Sequence, residues 1–159
     1  MPSIIAPPKR VNLIPAGIAA GIIGGALLDL FMVLQGAKPL GIYQWVASNV
    51  VGPVAFTSTS YAVLGAAIHF AVSIVWGIVY AALAQSGRPA LVNRPVPSGL
   101  LYGFVVMLAM LTVQVFARTY VSPNHDWPKF FMSLIAHTVL FGVAIALVVS
   151  AAARKALRT

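Results

Sequence analysis

Four stretches of this chain, 11–34, 61–84, 97–117 and 129–152, run for more than 20 residues each with almost no charge. That length matters because about 20 residues of helix cross the hydrocarbon core of a bilayer. Inside lipid every backbone N–H and C=O must find a partner in its own segment, so each stretch reads as a helix. A barrel is excluded, since the runs do not alternate and are too long for barrel strands. The composition agrees: 60% of the residues are hydrophobic and only 8% are charged, with a mean hydropathy of +0.96. A soluble domain of this size needs a larger charged surface. The expected fold is therefore all-α: one membrane domain over residues 1–159, an integral four-helix bundle.

The first run follows Lys9 and Arg10 and has the outline of a signal peptide. Its apolar stretch is longer than a signal core, and no small-x-small cleavage site follows. It is expected to remain as an anchor. The absence of cysteine excludes disulfides, thiolate metal sites and covalent haem attachment.

The net charge of +8 is a topology signal. Lys9, Arg10, Arg88, Arg94, Arg154, Lys155 and Arg158 all fall on one side of a four-span arrangement. Lys38, Arg118 and Lys129 fall on the other, with Asp126 opposing them. The positive-inside rule then places both termini in the cytoplasm. No basic soluble segment is interleaved with aromatics, so nucleic acid is not an expected partner.

The loop "QSGRPALVNRPVPSG" is rich in proline and reads as an irregular connector. The stretch "GIYQWVASNVVGPVAF" is too apolar for a free loop. Residues 40–51 read as a short helix lying at the interface, anchored by Tyr43 and Trp45. Trp127 reads as a third interfacial anchor. Thr57–Ser60 should cap the second span. "SPNHDWPKFF" should be a turn in which Asn124 or Asp126 caps the fourth helix, with His125 beside it.

Polar and small residues fall on stripes within the spans. Gly17, Gly21, Gly25 and Asp29 recur every four residues; so do Gly65, His69, Ser73 and Gly77. Positions four apart share a helix face, and small residues mark where a neighbouring helix comes close. "IPAGIAAG" at Ile14–Gly21 matches "VPSGLLYG" at Val96–Gly103, which adds Gly99 and Gly103 to the packing set. Two helical hairpins in the same orientation, a parallel repeat, would follow.

Depth brings the ionisable residues to one level. His69 and His137 each fall about 12 Å past the outer end of their spans, and Asp29 about 8–10 Å deep, at 1.5 Å per residue. Gln114 lies slightly nearer the surface. Asp29, His69, Ser73, Gln114 and His137 are thus expected to form a buried polar layer. Three readings stay open for it. Neutral histidines fix helix register as interhelical glue. Asp29 and the histidines handle protons or hold a divalent metal. Or His69 and His137 clamp a haem b from facing helices.

The segments "AGIAAGIIGGALLDLFM", "AAIHFAVSIVWGIVYAAL" and "IAHTVLFGVAIAL" resemble the YagU-like group of small bacterial inner-membrane proteins. Asp29, His69 and His137 carry the resemblance; the outer loop and third span match poorly. The resemblance implies four helices and the bacterial inner membrane, and supplies no reaction. No hydrolase triad, phosphate loop or zinc-protease motif is present in the sequence. The expected function is a non-enzymatic accessory or structural subunit that meets a membrane-protein partner, or a further copy of itself, through its glycine faces. The alternatives are a small transporter of protons or metal ions, and a haem b electron-transfer subunit.

Overall fold

The computed structural model describes residues 11–117, 127–156 and 158. Every described element is helical: α1 (Ile14–Leu34), α2 (Pro39–Val51), a 3₁₀ turn (Gly52–Phe56), α3 (Ser60–Gln85), α4 (Pro89–Asn93), α5 (Pro95–Phe116), α6 (Trp127–Ile135), a π-helical segment (Ala136–Val143) and α7 (Ala144–Ala156). Four helices are long and apolar enough to cross a membrane: α1, α3, α5 and the continuous stretch Phe130–Ala156.

Proline sets most of the starts. It stands in the first turn of α1, α2, the 3₁₀ turn, α4 and α5. There its missing N–H costs nothing and its fixed φ suits a helix. Gly36 and Gly87, at φ of 89° and 82°, follow the ends of α1 and α3. That left-handed conformation turns the chain out of the helix and favours glycine. Helix α2 begins at Pro39, one residue ahead of the start expected for an interfacial helix. At the start of α3 the residue in the capping position, Thr59, makes no side-chain cap; the Ser58 hydroxyl accepts from the Ser60 N–H at 3.3 Å instead. The helix that leads into the fourth span, α6, starts at Trp127, two residues ahead of the expected start at 129. The expected turn around Asn124, His125 and Asp126 lies outside the described residues.

Apolar residues surround the long helices on all sides, so hydrophobicity alone gives them no preferred packing face. Small residues set the faces instead. A Cβ added at Gly17 would lie 2.7 Å from the Gly77 carbonyl oxygen and 2.8 Å from Ala81 Cβ. One added at Gly77 would strike the Gly17 carbonyl in return, and one at Gly21 the Ser73 carbonyl. The second hairpin repeats this pattern. A Cβ at Gly99 would lie 2.7 Å from the Gly142 carbonyl oxygen, one at Gly142 would strike the Gly99 carbonyl, and one at Gly103 the His137 carbonyl. Both hairpins therefore close backbone against backbone.

The two crossings differ by one residue. Against the glycine pair of the first helix stand Ser73 and Gly77 in one hairpin, four apart, but His137 and Gly142 in the other, five apart. An α-helix returns to the same face after about four residues, whereas a π-helix, bonded i to i+5, needs the extra one. The π-helical segment Ala136–Val143 spans this interval and absorbs the difference. Counting back one turn from each contact, His69 corresponds to Ser133, and Ser73 to His137. The two histidines thus do not occupy equivalent places. Deletion of the exposed Val139, inside the π segment, should restore a regular helix and leave a folded protein. Deletion of the exposed Val75, between Ser73 and Gly77, should abolish the fold. Thermal unfolding of the two variants in mild detergent separates these outcomes; equal damage from both would contradict the register argument.

Side chains join the hairpins. Tyr80, Phe141, Ile145 and Val149 are buried at the centre. A Cβ at Gly24 would lie 2.9 Å from the Phe141 ring. Toward one end, the Tyr80 and Tyr102 rings pack edge-on at 4.9 Å. The Tyr102 hydroxyl donates to the Trp76 carbonyl. The Tyr80 and Ser150 hydroxyls both donate to the Leu91 carbonyl, at 2.9 and 3.2 Å, and so draw the short α4 onto the bundle. At the same end, the Gln85 side-chain carbonyl accepts from the Leu13 N–H at 3.0 Å. Arg88 and Arg94 flank α4, and Arg154 and Lys155 lie in the last turn of α7. This is the basic end of the molecule; Asp29, Tyr43 and His69 lie toward the other.

Candidate functional site

The glycine stripe of α1 ends in Asp29, one turn beyond Gly25. The stripe of α3 carries His69 one turn beyond Gly65. Because the stripes face each other, Asp29 and His69 meet: His69 Nε2 lies 3.3 Å from Asp29 Oδ1, and both side chains are 14% exposed. The Nε2 N–H donates to the Gly25 carbonyl at 3.2 Å. Asp29 Oδ1 sits within ion-pair distance of the ring but accepts no hydrogen bond of its own. The buried Ser73 hydroxyl lies against Gly25, where an added Cβ would come within 2.9 Å of it.

The third member comes from α2. That helix approaches α3 so closely that a Cβ at Gly65 would fall on the Tyr43 carbonyl and within 3.0 Å of its Cα. The approach delivers the Tyr43 hydroxyl to Asp29 Oδ2, where it donates at 2.8 Å. Its ring stands 6.2 Å from the His69 ring. Burial pushes the Tyr43 phenol up to about 12, and the hydrogen bond to Asp29 and the negative charge there push the same way. The phenol accordingly stays protonated, and a donor, throughout the neutral range. Tyr43, expected as an interfacial anchor, ties α2 to the carboxylate of α1. Tyr43 stands four residues before the buried Ala47, on the inward face, whereas Trp45 points outward and is exposed.

His137 stands within electrostatic range of His69 but bonds within its own helix. Its Nδ1 lies 2.8 Å from the Ser133 carbonyl oxygen and 3.4 Å from the Ser133 hydroxyl, both on its own helix. Among the described residues, no three of His, Asp and Glu converge as a metal-holding group. Of the expected layer, Asp29 and His69 meet and Tyr43 joins them, with Gly25 and Ser73 at their back, while His137 lies near His69 and bonds to Ser133 of its own helix. Gln114 is half-buried near the end of α5. For a bis-histidine haem, ligation through His69 Nε2 would break its bond to Gly25 and its contact with Asp29, so the geometry lends that reading no support. Trp127 is exposed and packs with Phe130 and Phe131, at 5.9 and 6.0 Å.

The glycines are also accounted for. Gly17, Gly21 and Gly77 lie in the α1–α3 crossing, Gly25 against Ser73, Gly65 against Tyr43, and Gly99 and Gly103 against the π segment. These faces are consumed inside the molecule and are not free to receive a partner, contrary to the expectation from sequence.

No protein-family model, no curated protein and no solved structure matches the chain.

Proposed function

We propose that this chain is a non-enzymatic, multi-pass protein of the bacterial inner membrane that serves as an accessory or structural subunit of a larger membrane complex. The observation that carries this reading is where the polar side chains of the bundle go. Tyr43, Asp29 and His69 join α1, α2 and α3; Tyr80, Tyr102 and Ser150 join α3, α4, α5 and α7. These groups are spent on helix assembly. The outward surface is apolar, with Leu34, Val63 and Phe116 among its most exposed residues. That surface meets lipid, and a partner with the glycine faces closed must bind it there.

The basic end supports cytoplasmic termini under the positive-inside rule. The matching glycine crossings support a parallel duplication of one hairpin, with one residue gained in the fourth span. The resemblance to the YagU-like group supports the same membrane.

Native mass spectrometry of the untagged protein, extracted from its own membrane in mild detergent, tests the subunit reading. Larger protein masses should travel with the chain. A bare monomer, or a homo-oligomer alone, would overturn it.

A second reading has its own observation. Asp29 is an intramembrane carboxylate with one oxygen that accepts no hydrogen bond, and such groups commonly serve proton or ion pathways. In this reading Asp29 and His69 handle protons, with Tyr43 as the closing donor. Asp29→Asn in liposomes should then abolish proton flux; flux equal to the unmodified chain would eliminate it.

A further inference from the structure

At the basic end of the bundle, positive charge collects with no acidic side chain among the described residues of the segments that build it. Arg88 and Arg94 bracket α4, and both are exposed. The Ser150 hydroxyl, bonded to the Leu91 carbonyl, brings α7 against α4. One turn further along α7, the exposed Arg154 reaches back with its Nε 3.4 Å from the Ser150 carbonyl oxygen. Arg88 and Arg94 thus stand at the two ends of α4, Arg154 stands on the helix that Ser150 brings against it, and Lys155 and Arg158 are exposed further along the chain. The chain contains two carboxylate side chains in all. Asp29 lies in the far half of α1, and Asp126 directly precedes the start of α6 in sequence, so neither belongs to the segments that build this end.

The same place carries an apolar feature. A shallow groove runs between the end of α3 and α4, lined by Ala84, Gly87, Arg88, Pro89 and Val92. Its floor is aliphatic, and its one charged wall is Arg88. It lies at the C-terminal end of α3, one of the four helices long and apolar enough to cross a membrane.

We propose that this end is a binding site for an anionic phospholipid, with the phosphate held by Arg88, Arg94 and Arg154 and the upper acyl chain laid on Ala84 and Val92. Guanidinium groups suit the phosphate because they offer paired N–H donors in a planar fork. Basic pockets beside membrane helices are a known setting for headgroup recognition. The groove supplies what a free anion does not use, an apolar floor continuous with the bilayer. The inference rests on the membrane reading alone and stands whether or not the chain is a subunit of a complex.

The test is lipid retention by native mass spectrometry, with phosphatidylglycerol and phosphatidylcholine offered separately to the detergent-purified full chain. Phosphatidylglycerol should be retained at least tenfold more strongly than phosphatidylcholine. The Arg88→Gln, Arg94→Gln, Arg154→Gln triple variant should lose that preference while melting as the unmodified chain does. On the unmodified chain, rising salt should release phosphatidylglycerol and leave phosphatidylcholine unaffected, a readout that needs no variant. Equal retention of the two lipids, or salt-independent retention, would overturn the proposal. Displacement of the lipid by millimolar inorganic phosphate would also overturn it, by assigning the arginines to a free anion.

Discussion

Gly77→Leu is expected to cripple the protein. The new Cβ alone would strike the Gly17 carbonyl and lie 2.8 Å from the Gly21 nitrogen and 3.0 Å from its Cα. All three are backbone atoms of α1, so no side chain can rotate out of the way. The helices must separate, and the contact that closes the first hairpin is lost with them. Overpacking of a tight core costs up to about 3 kcal/mol and occasionally more. For a chain of this length that corresponds to a fall of roughly 6–12 °C in thermal midpoint. Gly142→Leu should behave alike, because it meets the Gly99 carbonyl and lies 2.7 Å from Gly103 Cα. Gly41→Leu is the control. A Cβ there meets only Lys38 Cβ, at 3.9 Å, so its midpoint should scarcely move. If Gly77→Leu melts with Gly41→Leu in the same detergent, the backbone-on-backbone crossing is not what holds α1 to α3.

The second large effect is expected at Asp29 and His69. His69→Ala removes the ring beside Asp29 Oδ1 and the donor to Gly25, while Tyr43 still bonds Oδ2. The carboxylate then faces an apolar gap with half its partners gone. Leaving a buried charged group underpaired costs about 2 kcal/mol or more. Asp29→Asn removes the charge and keeps an oxygen to accept from Tyr43, so it should be the milder change. The double variant should therefore be more stable than the sum of the single losses predicts, by about 1 kcal/mol, within the range measured for polar pairs in membrane helices. Thermal or denaturant unfolding of the four proteins gives this coupling directly. Strict additivity would mean that the pair makes no energetic contact, whatever its separation.

Much of the architecture was legible because lipid leaves few options. Uninterrupted apolar length forces helices, but the expected irregular connector holds the short helix α4, and α5 begins at Pro95, two residues ahead of its expected start, because proline in a first turn starts a helix as readily as it breaks one. The four-residue stripes showed which faces of α1 and α3 allow close approach, and counting residues from the helix ends brought Asp29 and His69 to one level. The stripes did not show what would cover them. A small-residue face accepts an internal neighbour or a foreign helix equally well, and only the fold assigns Gly17 to Gly77 and Gly99 to Gly142. Tyr43 was missed because an aromatic residue in an interfacial helix has a sufficient explanation without any partner. The π segment that begins beside His137 is announced by no residue in "AHTVLFGV".

The pairing of neighbouring spans bears on how the protein is made. The most extensive contact of α1 is with α3, and the network of Asp29, Tyr43 and His69 is contained between residues 29 and 69. Everything needed to close the first hairpin, including the seating of α2, has therefore been synthesised once the ribosome has passed Gln85. Contacts between near neighbours in sequence form quickly, and completed units fold ahead of later ones during translation. The second hairpin then enters the bilayer beside a finished template, with Phe141 meeting Gly24 and Tyr102 meeting Trp76. The order of the chain is thus also an order of assembly, in which Asp29 enters the membrane and His69, its partner, follows within the same hairpin.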